Sequence, residues 1–107
     1  MAKLSLYPKT LNTKQAERLI ESIAKNSDDV IFSHHALERM DERSISQQDV
    51  LRVLQSGMCG EAPHRDKKGN WKCKMIRHHK GNRDIGVVTV ILRQGNLFII
   101  TVEWEDL

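Results

Sequence analysis

Asp84-Ile85-Gly86-Val87-Val88-Thr89-Val90-Ile91-Leu92-Arg93-Gln94-Gly95-Asn96-Leu97-Phe98-Ile99-Ile100-Thr101-Val102-Glu103-Trp104 decides the fold of this chain. Two runs rich in Val, Ile and Phe flank the turn signal Gln94-Gly95-Asn96, so Asp84 to Arg93 and Leu97 to Trp104 are predicted as joined strands. Few charges interrupt either run, the pattern of inner strands packed on both faces. Just upstream, Trp71 to His78 alternates: Trp71, Cys73 and Met75 go one way, Lys72, Lys74 and His78 the other. That is a half-exposed strand. Asp66-Lys67-Lys68-Gly69-Asn70 and Lys80-Gly81-Asn82 read as turns, and Met58 to Pro63 as a short strand. Consecutive short turns imply an antiparallel meander.

The first half has a different period. Ala16, Leu19, Ile20 and Ile23 keep one apolar face over a helix from Thr10 to Lys25, capped by Asn12 or Thr13. Asn26-Ser27-Asp28-Asp29 is a stop and turn, and Val30-Ile31-Phe32 an extended link. Ser33 is the N-cap of a second helix, with Phe32 and Leu37 as a hydrophobic staple and Ala36, Leu37 and Met40 turned inward. Ser46-Gln47-Gln48-Asp49 opens a third, with Ile45 and Val50 as its staple. Val50, Leu51 and Leu54 face the core there, and Gly57 stops it. The class is therefore α+β: N-terminal helices on one face of a small antiparallel sheet. One domain is expected over residues 1–107, with a helical part about 10–56 and a sheet part about 57–104.

Composition narrows the classes of function. The chain is 39% hydrophobic and 29% charged, with a net charge of +3. No apolar run approaches the roughly 18 residues of a membrane span. The opening Met1-Ala2-Lys3-Leu4-Ser5-Leu6-Tyr7-Pro8 has a lysine without an apolar stretch behind it, so no secretory signal is read and a cytoplasmic location is expected. Cys59 and Cys73 match no disulfide framework or common zinc spacing, so two thiols and no metal site are expected, Cys73 buried on its strand. Between Gly57 and Arg83, eight Lys and Arg face only Glu61 and Asp66. Such a local field suits a polyanion, although a solvated lysine-rich hairpin looks the same.

The second helix carries the chemistry. His35, Arg39 and Arg43 stand at i, i+4 and i+8, one slanted stripe. Like charges at i,i+4 cost an isolated helix a few tenths of a kcal/mol, so helix stability does not ask for them. An anion does: two guanidinium forks beside an imidazole that can gain or lose a proton near neutrality. The stripe points to phosphate chemistry.

Phe32-Ser33-x-His35-Ala36-x-x-Arg39-Met40-x-x-Arg43-x-Ile45 is followed by Val50-x-x-Val53-Leu54-x-x-Gly57, by Gly81-x-Arg83-x-Ile85-x-Val87-Val88 and by Ile99-Ile100-Thr101-Val102. In that order, over roughly Val30 to Trp104, these blocks resemble the bacterial domain of unknown function 4258 family, marked by an H-x-x-x-R helix. That family is similar to the RelE/BrnT/MqsR-type toxin ribonucleases. The resemblance implies a few helices before a curved antiparallel sheet, in RelE-like toxin architecture. It also implies metal-free RNA cleavage without a cofactor, and a cognate antitoxin partner, in some members carrying a small zinc-finger domain. Many relatives place an aromatic, often Tyr, where this chain has Glu103, and Tyr7 is its only tyrosine.

A metal-independent endoribonuclease of this kind needs a base for the 2′-OH, cations for the phosphoryl oxygens and an acid for the leaving 5′-oxygen. His35 is the expected base and Arg39 and Arg43 the clamp, with Arg83 approaching from the sheet. Lys72, Lys74, Trp71 and His78 are expected at the substrate, Trp71 stacking a base. The acid is open among Lys72, His78 and His79. Each has a plainer use: His35 can bond a carbonyl, Arg39 can pair with Glu42, and Arg43 with Asp49 or the acidic tail. Trp71 is in phase with the core. Thr101, flanked by apolar residues, is expected to face the core. The alternative function is a non-catalytic module binding nucleic acid or a partner through the same basic face.

Overall fold

Reciprocal caps set the helical half. The Asn12 side chain accepts from the Gln15 N–H while the Gln15 side chain accepts from the Asn12 N–H, opening α1 (Thr13–Ala24). Ala16, Ile20 and Ile23 are buried along one side of it. A 3-10 turn (Ser27–Asp29) leads into β1 (Val30–Phe32), and the Ser33 hydroxyl accepts from the Ala36 N–H to start α2 (His34–Arg43). Ser44, at φ 55°, ends α2 in the left-handed region. Ser46 and Asp49 then cap α3 (Gln47–Ser56) reciprocally. The computed structural model describes residues 7–106; Met1 to Leu6, most of the stretch read for a secretory signal, and Leu107 lie outside it. No helix among the described residues is long and apolar enough to cross a membrane.

Burial pushes the Asp49 carboxyl upward, but bonds from Ser46, with His79 and Arg52 nearby, outweigh it and hold it below the ordinary carboxylate value. A depressed carboxyl stabilises the fold above its unfolded pKa, and that contribution is lost as pH falls through the folded value. Ser46→Ala is expected to remove about 1 kcal/mol at neutral pH. Urea unfolding at several pH values checks this: the variant's stability should also fall less steeply in acid.

Among the described residues, six strands form one sheet. β2 (Met58–Cys59), β3 (His64–Arg65), β4 (Trp71–His78), β5 (Asp84–Ile91) and β6 (Leu97–Trp104) join β1 in the order β1-β6-β5-β4-β2, with β3 also on β4. The class is α+β, as read, but the sheet is mixed. Val30–Phe32 is a strand parallel to β6, not a link. The expected strand from Met58 to Pro63 stops at Cys59, and β3 resumes after Pro63, which has no N–H for a ladder.

Alternate residues put Trp71, Cys73, Met75, Ile85, Val87, Ile91, Leu97, Ile99, Val102 and Trp104 in one core with Ile20, Met40 and Leu54 of the helices. The expectation that β6 is packed on both faces fails: Phe98, Ile100, Thr101 and Glu103 are only half-buried. A bulge changes the phase. Val88 lies opposite Thr101 but Thr89 opposite Ile99, which leaves Ile100 unpaired. Thr101, expected in the core, is thereby turned to the open face, and Val102 takes the core position. Leu37 is a second correction. It lies about 80° around the helix from the midpoint of Ala36 and Met40, and is 41% exposed instead of buried.

Candidate functional site

α2 lies beside β6 and runs the same way. At its start, the Ser33 N–H donates to the Ile99 carbonyl and the Ser33 hydroxyl to the Ile100 carbonyl. At its end, Arg43 Nη1 donates to the Val102 carbonyl at 2.6 Å and the Trp104 indole N–H donates to the Arg43 carbonyl at 3.0 Å. These bonds close the part of the β6 edge that β1 is too short to cover.

Along that helix the stripe turns steadily toward the sheet, because each step of four residues advances about 40°. His35 is exposed, and no described residue holds its imidazole. Arg39 is half-buried and forked onto the Glu42 carboxylate. An exposed i,i+3 pair of this type is worth at most about 1 kcal/mol, so a phosphate can displace it. Arg43, nearest the core, serves the Val102 carbonyl instead of Asp49 or the acidic tail.

Arg83 does not join His35. Its guanidinium lies 3.9 Å over the Trp104 ring and its Nε donates to Asp106 at 3.2 Å. The His79 ring is 5.6 Å from that same indole. Trp104 therefore gathers Arg43, His79 and Arg83 at the C-terminal end of α2, about 12 Å of helix rise from His35. The single pocket expected for His35, Arg39, Arg43 and Arg83 is instead a track: His35 held by no described residue, Arg39 and Arg83 in exposed ion pairs, and Arg43 committed to a carbonyl of β6.

The expected substrate residues scatter. Lys74 is bound by Glu105 at 2.7 Å and Glu103 at 3.2 Å. Burial disfavours its charge, but the two carboxylates outweigh that and raise its pKa. The cluster crosses the sheet over Gly86, where a Cβ would lie 2.7 Å from Lys74 Cε and meet Glu105 as well. Glu103 is thus one of the two carboxylates in a three-residue charge cluster. Trp71 is buried at 9% exposure, with Arg65 4.4 Å over its ring and its indole N–H on the Pro8 carbonyl, so it is no platform for a base. His78 is exposed and 3.0 Å from Asp84. Of the two lysines expected at the substrate, only Lys72 has no carboxylate partner among the described residues. Tyr7 is a brace: it donates to the Ile91 carbonyl and accepts from the Trp71 N–H, and burial raises its pKa.

A family model described as a domain of unknown function matches residues 32–104. The chain belongs to the domain of unknown function 4258 family. No curated protein and no solved structure matches it. The family block holds the whole α2 stripe, the Trp104 corner and Lys74 with Glu103, while Glu105 lies just past it and Tyr7 and Pro8, which brace Trp71, lie before it. Cys59 and Cys73 are free thiols within the block, Cys73 buried on β4 as read. Sequence reasoning missed the role of Trp104. An indole ending an apolar strand was a visible signal, but Arg43, His79 and Arg83, which surround it, come from other segments.

Proposed function

We propose that this member of the domain of unknown function 4258 family is a toxin-type, metal-independent endoribonuclease that acts in the cytoplasm and is neutralised by a cognate antitoxin protein. One observation carries the reading: His35 stands in solvent with no described partner, four residues before an arginine held only by a surface ion pair. In this mechanism the imidazole takes the proton of the ribose 2′-OH, and the 2′-oxygen attacks the adjacent phosphorus. The bond from phosphorus to the 5′-oxygen breaks, and solvent at this open site protonates the leaving oxygen. Arg39 exchanges Glu42 for the phosphoryl oxygens, a bidentate contact that strengthens as charge develops there. Arg43 and Arg83 hold the helix end that aims the stripe.

The test is incubation of the purified chain with single-stranded and structured RNA in EDTA. Cleavage leaving 2′,3′-cyclic phosphate and 5′-hydroxyl ends is the expected result. A second reading has its own support, the commitment of Arg43 to the Val102 carbonyl. On that reading the chain binds nucleic acid without cutting it. Salt-dependent retention of RNA with no product would select it.

A further inference from the structure

The sheet has a face that no described helix covers, and its register composes a graded row across five strands. Ile31 pairs with Phe98, Phe98 with Val90, Val90 with Lys72 and Lys72 with His64. With strands about 4.8 Å apart, the row is roughly 19 Å long, the length of about 13 helical residues. Ile31 is 40% exposed at the apolar end. At the basic end a groove of about 540 Å³ has Lys67, Lys68, Lys72 and His64 on its wall and Phe98 and Ile100 on its floor. Asp66, the acid in that wall, accepts from the Lys68 and Asn70 N–H groups through Oδ1, which the turn holds, and one carboxylate there stands against three lysines. The three lysines have no carboxylate partner among the described residues.

We propose that this face docks an acidic amphipathic helix of a partner protein, laid across the strands along the row from Ile31 to His64. Charge complementarity selects the occupant: apolar side chains meet Ile31, Phe98 and Ile100, and carboxylates meet the lysines. Single-stranded RNA fits less well. It is held by stacking on aromatic rings or guanidinium planes. Arg65, the arginine that lines the groove, already has a guanidinium face on Trp71 at 4.4 Å, which leaves half-buried Phe98 and exposed His64 as the rings a base could meet. The lysines outnumber those rings, and they meet carboxylates as point charges. The occupant lies on the face and not along the β6 edge, because β1, Ser33 and Arg43 already take that edge. A helix here adds a third layer, on the sheet's bare face. This docking face is opposite the helices and does not rest on the nuclease reading.

The test uses the full chain as bait for a display library of 20-residue helical peptides. Enriched peptides should carry apolar residues at i, i+3 or i+4 and i+7, flanked by Asp and Glu. A synthetic consensus peptide should lose at least tenfold in affinity toward Lys68→Glu/Lys72→Glu and toward Phe98→Asp, with circular dichroism confirming that both variants fold. Its amide shifts should map to Phe98, Val90 and Lys72, and His35→Ala should bind it as the parent does. Peptides without acidic residues, or binding untouched by the variants, would overturn the proposal. So would a 20-nucleotide uridine RNA that alone loses affinity with the lysine pair, which assigns the groove to RNA.

Discussion

His35→Ala reduces RNA cleavage in EDTA by about 10²- to 10⁴-fold, the usual range for a lost general base. The imidazole is exposed at the second position of α2 and holds no described residue, so stability should change by no more than about 0.5 kcal/mol. A folded and inactive variant is thus the expected pair of findings, read by cleavage rate beside thermal unfolding. Arg39→Ala should fall about 10²- to 10³-fold in rate, as sites do on losing one donor to the developing charge. It frees Glu42, which is exposed, so the fold again survives. Undiminished cleavage by His35→Ala would remove the imidazole from the mechanism and turn attention to the His78–Asp84 pair on the sheet.

The largest loss of stability is expected at Ile99. Its side chain is fully buried, opposite Phe32 on one side and Thr89 on the other, and its carbonyl accepts the Ser33 N–H that starts α2. Ile99→Ala removes three carbons where β1, β6 and α2 meet. About 2–5 kcal/mol is the ordinary cost of such a truncation, the upper part applying where surrounding groups cannot collapse into the gap. For a domain of this size each kcal/mol lowers Tm by about 4–8 °C. Ile31→Ala on the same edge is the control. That side chain is 40% exposed on the open face, and its loss should be several-fold smaller. Equal losses at the two positions would show that the bare face contributes to stability as a core does.

Local features were legible. The caps at Asn12, Ser33 and Ser46, the strands on either side of Gly95, and the alternation that buries Cys73 and Met75 beneath Lys72 and Lys74 all rest on contacts within a few residues. Arg39 pairing with Glu42 was legible for the same reason. Thr101 was misplaced because a bulge depends on the partner strand, and nothing in Ile99-Ile100-Thr101-Val102 announces one. Lys74 and Trp71 looked available for substrate because Glu103, Glu105, Arg65 and Pro8, which occupy them, come from other parts of the chain.

The sequence by itself determined the helices α1, α2 and α3 with their capping residues, the long strands β4, β5 and β6, and that a histidine and two arginines share one stripe. Side chains talking to backbone over two to four positions are enough for that, with no other segment needed. Only the tertiary structure decided that Val30–Phe32 pairs with a strand some 67 residues away, that Arg43 closes the edge this short strand leaves open, and that one sheet face stays bare. Those outcomes depend on register and on which exposed backbone edge finds a partner. Pairing energy between distant segments settles both, and no local pattern encodes it.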